Sequence, residues 1–234
     1  MPMLVVAIIV SYLLGSIPAA YIAGRSRGVD LRKQGSGNLG ATNVMRVLGP
    51  RIGFAVFAFD MAKGAVPVLI FANRIPPGVL PGPNAPILAG ILCGVAAIVG
   101  HVRPLYLKFG KGGKGVATAA GVFLALAPVQ AFLALIVFAV VLLSSGYVSL
   151  GSLISAATLP VLLGVTVGVR SPLFVVSAVV SALVFWTHRA NIARLRNGEE
   201  TRFGKPGVAS RQPATMLAIG LVVVLAVAIA ARFA

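Results

Sequence analysis

Seven apolar runs of helical length, set apart by short polar segments, leave this chain almost no way to fold in water. They fall at Leu4–Ala23, Ile52–Ala72, Ile87–Gly100, Val116–Leu143, Tyr147–Val169, Pro172–Thr187 and Ala214–Ala231, and about 20 apolar residues are enough to cross the hydrocarbon core of a bilayer. With 59% hydrophobic residues, a mean hydropathy of +1.01 and only 10% charged residues, too few polar side chains remain to coat a soluble core. The expected fold class is an all-α polytopic membrane protein of about seven hydrophobic helices, some broken or half-spanning, with short basic cytoplasmic loops. The first run ends at Tyr21 and Gly24 without a small-residue cleavage site, so it reads as a retained helix and not as a signal peptide. Residues 1–213 read as one membrane-embedded domain, and residues 214–234 as an additional C-terminal helix of the same compact unit.

The charges are as unevenly placed as the apolar residues. The formal net charge is +16, and of the 20 Lys and Arg six lie in residues 25–51, four in 101–114 and six in 189–211. Loops this short between apolar runs suit a membrane boundary better than a nucleic-acid partner. The positive-inside rule puts all three loops in the cytoplasm and residues 73–86 outside. Three apolar runs separate the second and third basic loops, yet an even number of crossings must join two loops on one side. One of them is therefore expected not to span, and Pro160, Pro172 and nearby glycines mark the expected break.

A single cysteine, Cys93, rules out an intrachain disulfide and a cysteine-built zinc site. The four acids, Asp30, Asp60, Glu199 and Glu200, are too scattered along the sequence to suggest a carboxylate cage. No metal and no cofactor are expected. Lys63, three residues from Asp60 within the second run, reads as a structural ion pair on one helix face.

Each basic segment carries its own pattern. GSGNLGATNVMR, Gly35–Arg46, combines glycines with Ser36, Asn38, Thr42, Asn43 and Arg46. A surface turn leading into a capped helix accounts for those residue types, and so does an anion-binding loop in which Arg46 offers a planar fork for phosphate. In HVRPLYLKFGKGGKGVAT, His101–Thr118, Lys114 stands between Gly113 and Gly115 directly before a helical run. Glycines let backbone N–H groups crowd an anion, and the helix start adds donors and the positive end of its dipole. It is not a nucleotide P-loop, because Lys114 is followed by glycine and the required spacing is absent. In HRANIARLRNGEE, His188–Glu200, residues His188, Asn191 and Arg194 can share a helix face, and the two glutamates can pair with loop arginines.

GSGNLGATNVMR, GH-x-x-P followed by GGKGVAT, and HR-x-NI-x-RL-x-x-GEE occur here in order and at membrane spacing over residues 1–200. Together they resemble the bacterial acyl-phosphate:glycerol-3-phosphate acyltransferase family, the PlsY type. The loop before GGKG carries one extra residue, Gly110, and Arg103 stands where that family would have an apolar aromatic. The resemblance implies a membrane enzyme of the bacterial cytoplasmic (inner) membrane. It would move a fatty acyl group from acyl phosphate to the 1-hydroxyl of glycerol 3-phosphate, giving lysophosphatidate and phosphate. Its partners would be those two substrates and membrane lipid, with no nucleic acid and no obligate protein partner. It also implies a catalytic set of Ser36, Lys114, His188 and Asn191. Substrate binding would involve Gly37, Asn38, Thr42, Asn43, Arg46, His101, Gly112, Gly113, Gly115, Thr118, Arg194 and Glu199. No Ser-His-acid triad can be assembled from four distant acids, and neither histidine has the aspartate of a His-x-x-x-x-Asp element. Direct transfer without a protein nucleophile is the expected chemistry.

Two other classes compete for the same features. A transporter or channel for phosphate-bearing anions would also show broken helices and glycine-rich loops, although no inverted repeat is evident here. A scaffold binding anionic lipid would account for the charge but not for the glycine spacing.

Overall fold

The computed structural model describes residues 1–203. The run Ala214–Ala231 and the additional C-terminal helix expected there lie outside the described residues. Among the described residues the regular elements are α-helices and one short 3-10 turn, with no β-strand. Two compact units divide them, one covering Met1–Leu126 and the other beginning at Ala127.

The first unit begins with α1 (Pro2–Ser16) and α2 (Ala19–Arg25), both cut from the first apolar run. The cut has a local cause. Pro18 cannot donate to a helix and pushes the residue before it out of the helical region, so Ile17 is extended at φ −60° and ψ 113°. Then come α3 (Ala41–Leu48), α4 (Pro50–Phe71), α5 (Ala85–Val102) and α6 (Val116–Leu126). The second unit holds α7 (Pro128–Ser145), α8 (Val148–Thr166), α9 (Pro172–Thr187) and α10 (Arg189–Arg196). Helices α1, α4, α5, α7 and α9 each have proline in their opening positions, where the missing N–H has no intrahelical partner to lose.

Among the described residues five segments are long and apolar enough to cross a membrane: Pro2–Arg25, Pro50–Phe71, Ala85–Leu107, Pro128–Ser145 and Val148–Thr166. Helix α9 reaches span length only together with α10, from which it bends by 60°. The break expected at Pro160 or Pro172 is elsewhere. Helix α8 runs unbroken through Pro160, which removes one hydrogen bond without ending the helix, and Pro172 opens α9. The run Val116–Leu143, read as one helix, is divided instead. It stops at Ala127 (φ −149°, ψ 70°) and restarts at Pro128, leaving α6 at 11 residues, too short to span alone.

In lipid, helices gain little from hydrophobic burial against one another and rely on close backbone approach. Gly15 of α1 meets the backbone of Ala97 of α5, and Gly100 of α5 meets the Tyr12 carbonyl of α1. Tyr12 Oη closes the same seam by donating to the Arg103 carbonyl at 2.9 Å. Between α4 and α6, Gly64 lies on the Thr118 carbonyl and Gly121 on the Met61 carbonyl. Within the second unit Gly151 of α8 faces Phe138 of α7, and Gly164 of α8 faces the Phe174 ring of α9. Large apolar side chains such as Phe54, Leu69, Phe132 and Val179 point outward, as a lipid-facing surface requires.

A side chain at Gly121 has no room beside Met61. Gly121→Val is expected to destabilise the detergent-solubilised protein by about 1–3 kcal/mol, the usual penalty for overpacking, and to lower its apparent Tm. Phe132→Leu on the outward face is expected to leave Tm nearly unchanged in the same thermal scan.

Candidate active site

The segment between α2 and α3 is held by its own side chains. Leu31 and Leu39 are buried, 1% and 5% exposed, in a core with Ala20, Val44 and Val56. Between these anchors Gly35 and Gly37 take positive φ, +59° and +68°, on either side of Ser36. Asn43 organises this turn. Its Oδ1 accepts the Ser36 N–H at 2.8 Å, and its Nδ2 donates to the carbonyls of Leu31 and Gln34, both at 3.1 Å. At 1% exposure Asn43 braces the loop, while Ser36 at the tip is exposed. Gly35 lies against Asn43 Oδ1, so any larger residue there would displace the brace. Asn38 Oδ1 is buried without a hydrogen-bond partner among the described residues.

The cations around this loop divide into occupied and unoccupied. Asp30 Oδ1 accepts from Arg32 N at 3.1 Å and from Nε at 2.9 Å, and Oδ2 accepts from Nη2 at 2.9 Å. These bonds from Arg32 hold the Asp30 carboxyl well below the usual range, at about 2. The Arg25 and Arg32 guanidiniums both stack on the Tyr21 ring, 5.3 Å from its centroid. Arg46, in contrast, is exposed and forms no hydrogen bond or ion pair with any described residue. It stands one turn beyond Thr42 on α3, so the two share a helix face.

The second segment leaves α5 at Val102, makes a 3-10 turn over Leu105–Leu107, and passes through Lys108 and Phe109, two non-glycine residues in the left-handed region at φ 53° and 58°. It then folds back on α5. The Gly112 N–H donates to the Val102 carbonyl at 3.0 Å, and the Gly113 N–H to the His101 carbonyl at 3.2 Å. Gly113 lies against His101 Nε2, and Gly115, at φ +87°, turns the chain into α6. This path sets half-buried Lys114 at the amino end of α6, next to backbone donors and the positive end of the dipole. Lys111 is exposed on the approach. Thr118 is fully buried at the α4 seam with its hydroxyl lacking a hydrogen-bond partner among the described residues.

In the third segment a carboxylate organises the donors. Glu200, 7% exposed, accepts from Ser149 Oγ at 2.8 Å and Asn191 Nδ2 at 2.7 Å through Oε1, and from Arg194 Nε at 2.7 Å through Oε2. His188, 3% exposed, stands at the bend between α9 and α10, and its Nδ1 lies 2.8 Å from the Val184 carbonyl, which identifies Nδ1 as the protonated nitrogen. Arg189 stacks on Trp186 and donates to its carbonyl at 3.1 Å, and the Arg202 guanidinium lies over the Tyr147 ring.

Within the first unit the sequence candidates thus form two loops, one around Ser36 and Arg46 and one around His101 and Lys114. Within the second, Asn191 and Arg194 lie on one short helix and His188 at the bend before it. Of the two glutamates that could pair with loop arginines, Glu200 is the one paired with Arg194. Glu199 is exposed and only its backbone N–H is engaged, with the Arg194 carbonyl at 2.8 Å, whereas Glu200 is the buried acceptor. Adjacent identical residues give no spacing signal to separate them, and Ser149, 51 residues away, gives none at all.

A polytopic helical membrane protein whose polar side chains gather in glycine-rich cationic loops at helix ends is the class defined by this fold and these clusters. The chain belongs to the glycerol-3-phosphate acyltransferase family, whose family model matches residues 5–198. It is 43% identical over 199 residues to a glycerol-3-phosphate acyltransferase of Geotalea daltonii, covering 85% of this chain and 97% of that one. It is 46% identical over 195 residues to that of Geobacter sulfurreducens, with coverage of 83% and 94%. Among solved structures it resembles the glycerol 3-phosphate form of PlsY (YgiH), an integral membrane glycerol 3-phosphate acyltransferase. There the TM-score is 0.78 at 38% identity, covering 86% of this chain and 96% of that chain. The lysophosphatidic acid form of the same protein gives 0.75 at 37% identity.

Proposed function

We propose that this protein transfers a fatty acyl group from acyl phosphate to the 1-hydroxyl of glycerol 3-phosphate, releasing 1-acyl-glycerol 3-phosphate and inorganic phosphate. The site works at the cytoplasmic face of a bacterial inner membrane. The observation that carries the reading is the match at 38% identity to nearly the whole of a structure whose two forms hold glycerol 3-phosphate and lysophosphatidic acid. The transferase reading takes precedence over an anion transporter for the same reason.

The chemistry requires little from the protein beyond placement and charge. The glycerol hydroxyl oxygen attacks the acyl carbonyl, the carbonyl carbon–phosphate oxygen bond breaks, and phosphate leaves with the bonding pair while substrate phosphate takes the hydroxyl proton. Arg46 and Lys114 bind phosphate oxygens, Arg46 through its planar fork and Lys114 beside the N–H groups of the α6 start. Ser36 donates to glycerol or phosphate oxygens, with Asn38 and Thr42 lining the same loop. Asn191, its amide oriented by Glu200, makes a corresponding contact, and His188, its Nδ1 engaged by the Val184 carbonyl, orients the glycerol hydroxyl through its other ring nitrogen. Two phosphate anions and an acyl chain place such a reaction at a membrane surface, where basic loops meet apolar helices.

Purified protein offered acyl phosphate, acyl-CoA or acyl carrier protein, each with labelled glycerol 3-phosphate, is expected to give lysophosphatidate from acyl phosphate alone. A metal chelator is expected to leave that rate unchanged. Comparable turnover from acyl-CoA would overturn the donor assignment.

A further inference from the structure

Helix α4 carries two charges at its middle, Asp60 and Lys63, and both are almost completely buried, 2% and 6% exposed. Ionisable residues inside a membrane protein are costly to retain and mark function more often than packing. The Lys63 ammonium donates to the Ile17 carbonyl at 2.8 Å, at the break between α1 and α2, and lies 2.8 Å from Asp60 Oδ1. That same oxygen faces His101 Nδ1 at 3.5 Å. The other ring nitrogen of His101 lies against Gly113, whose N–H is held by the His101 carbonyl. The cavity these groups border is about 10 Å³, room for about one water and none for a phosphate. Whatever they contribute must pass through their neighbours.

We infer that Asp60, Lys63 and His101 are positioning residues of the transfer reaction. They clamp the Gly112–Gly113 backbone to the α1–α2 break and so hold Lys114 and the amino end of α6 where a phosphate binds. The inference rests on the transferase reading and assigns His101 a place behind the substrate loop instead of in contact with substrate. It also explains why His101 and its partners are buried while Ser36 and Arg46 are exposed.

The test is a kinetic cycle on the purified full-length protein, run with whichever donor supports turnover in the wild type. His101→Ala and Asp60→Asn are expected to lower kcat/KM for glycerol 3-phosphate by about tenfold to a hundredfold, the scale of a misplaced binding group. His101→Asn, whose amide can place an N–H toward Asp60 where Nδ1 now faces it at 3.5 Å, is expected to recover most of that loss. In a Lys114→Gln background, read by single-turnover assay, His101→Ala is expected to cost less than about threefold, because the group it positions is already gone. Additive losses in the cycle overturn the inference, as does wild-type kcat/KM in both His101→Ala and Asp60→Asn. Should alanine at position 101 prevent folding, His101→Phe keeps the ring without its nitrogens, and full activity there overturns the inference equally. A wild type that uses another donor would refute the acyl-phosphate reading while leaving this cycle interpretable. A wild type inactive with every donor would refute both.

Discussion

Replacing Arg46 with alanine is expected to slow acyl transfer by about tenfold to more than a hundredfold, while the protein stays folded in the membrane. Arg46 has no partner among the described residues to lose, so its removal leaves no buried group stranded. A charge-assisted contact to phosphate is worth about 1.5–3 kcal/mol, and at about 1.4 kcal/mol per decade that range sets the expected loss if it acts in the transition state. Arg46→Lys should recover only part, because a point charge cannot replace a bidentate fork. Lys114→Ala should fall as far as Arg46→Ala, and Lys111→Ala, on the exposed approach, much less. Arg32→Ala is the control on the same loop. Its guanidinium is engaged by Asp30, whose carboxyl is held at about 2, so the pairing is present at assay pH and is lost only as pH falls toward that value. Steady-state rates at limiting glycerol 3-phosphate check the series. Near-normal transfer by both Arg46→Ala and Lys114→Ala would remove the two proposed phosphate contacts.

Glu200→Ala is expected to damage stability and activity together. It leaves three donors, Ser149 Oγ, Asn191 Nδ2 and Arg194 Nε, without their shared acceptor. Breaking a buried ion pair from one side costs about 3–5 kcal/mol. The Arg194 side chain is 38% exposed and can turn toward solvent, so about 2–4 kcal/mol is the better expectation. Glu199→Ala, one residue earlier but exposed, should stay within about 0.5 kcal/mol of wild type. Apparent Tm in detergent, measured beside the transfer rate, separates the two glutamates. Equal behaviour of the two variants would contradict the geometry around Asn191.

The helical class was legible because apolar runs report themselves through length and composition, and the three polar loops because glycine and basic residues interrupt those runs so sharply. Proline was the ambiguous signal. Pro160 is absorbed inside α8, whereas Pro18 and Pro128 stand at breaks, and the difference lies in surrounding packing that a residue name does not contain. The loop around Ser36 shows the same boundary between kinds of information. Its residue types suggested either a capped turn or an anion loop, and the structure makes Asn43 a brace spanning 12 residues of chain, leaving Ser36 and Arg46 outward. Spacing along one helix could pair Asp60 with Lys63. No spacing could bring them to Ile17 and His101, which arrive from other helices.

The two charges at the centre of α4 also bear on how the protein enters its membrane. A lone acid or lysine at the middle of a span is penalised by about 2.5–3.5 kcal/mol on translocon insertion scales, and α4 carries one of each. Their mutual pairing relieves part of this within α4 itself, but the lysine's second acceptor is the Ile17 carbonyl at the α1–α2 break, and the aspartate's histidine is on α5. The first of these is already in the bilayer when α4 is synthesised, and the second follows it out of the ribosome. Helix α4 is thus a segment whose release into lipid is completed by its neighbours, so that a truncation ending just after Phe71 would leave a span poorly matched to the membrane it must occupy.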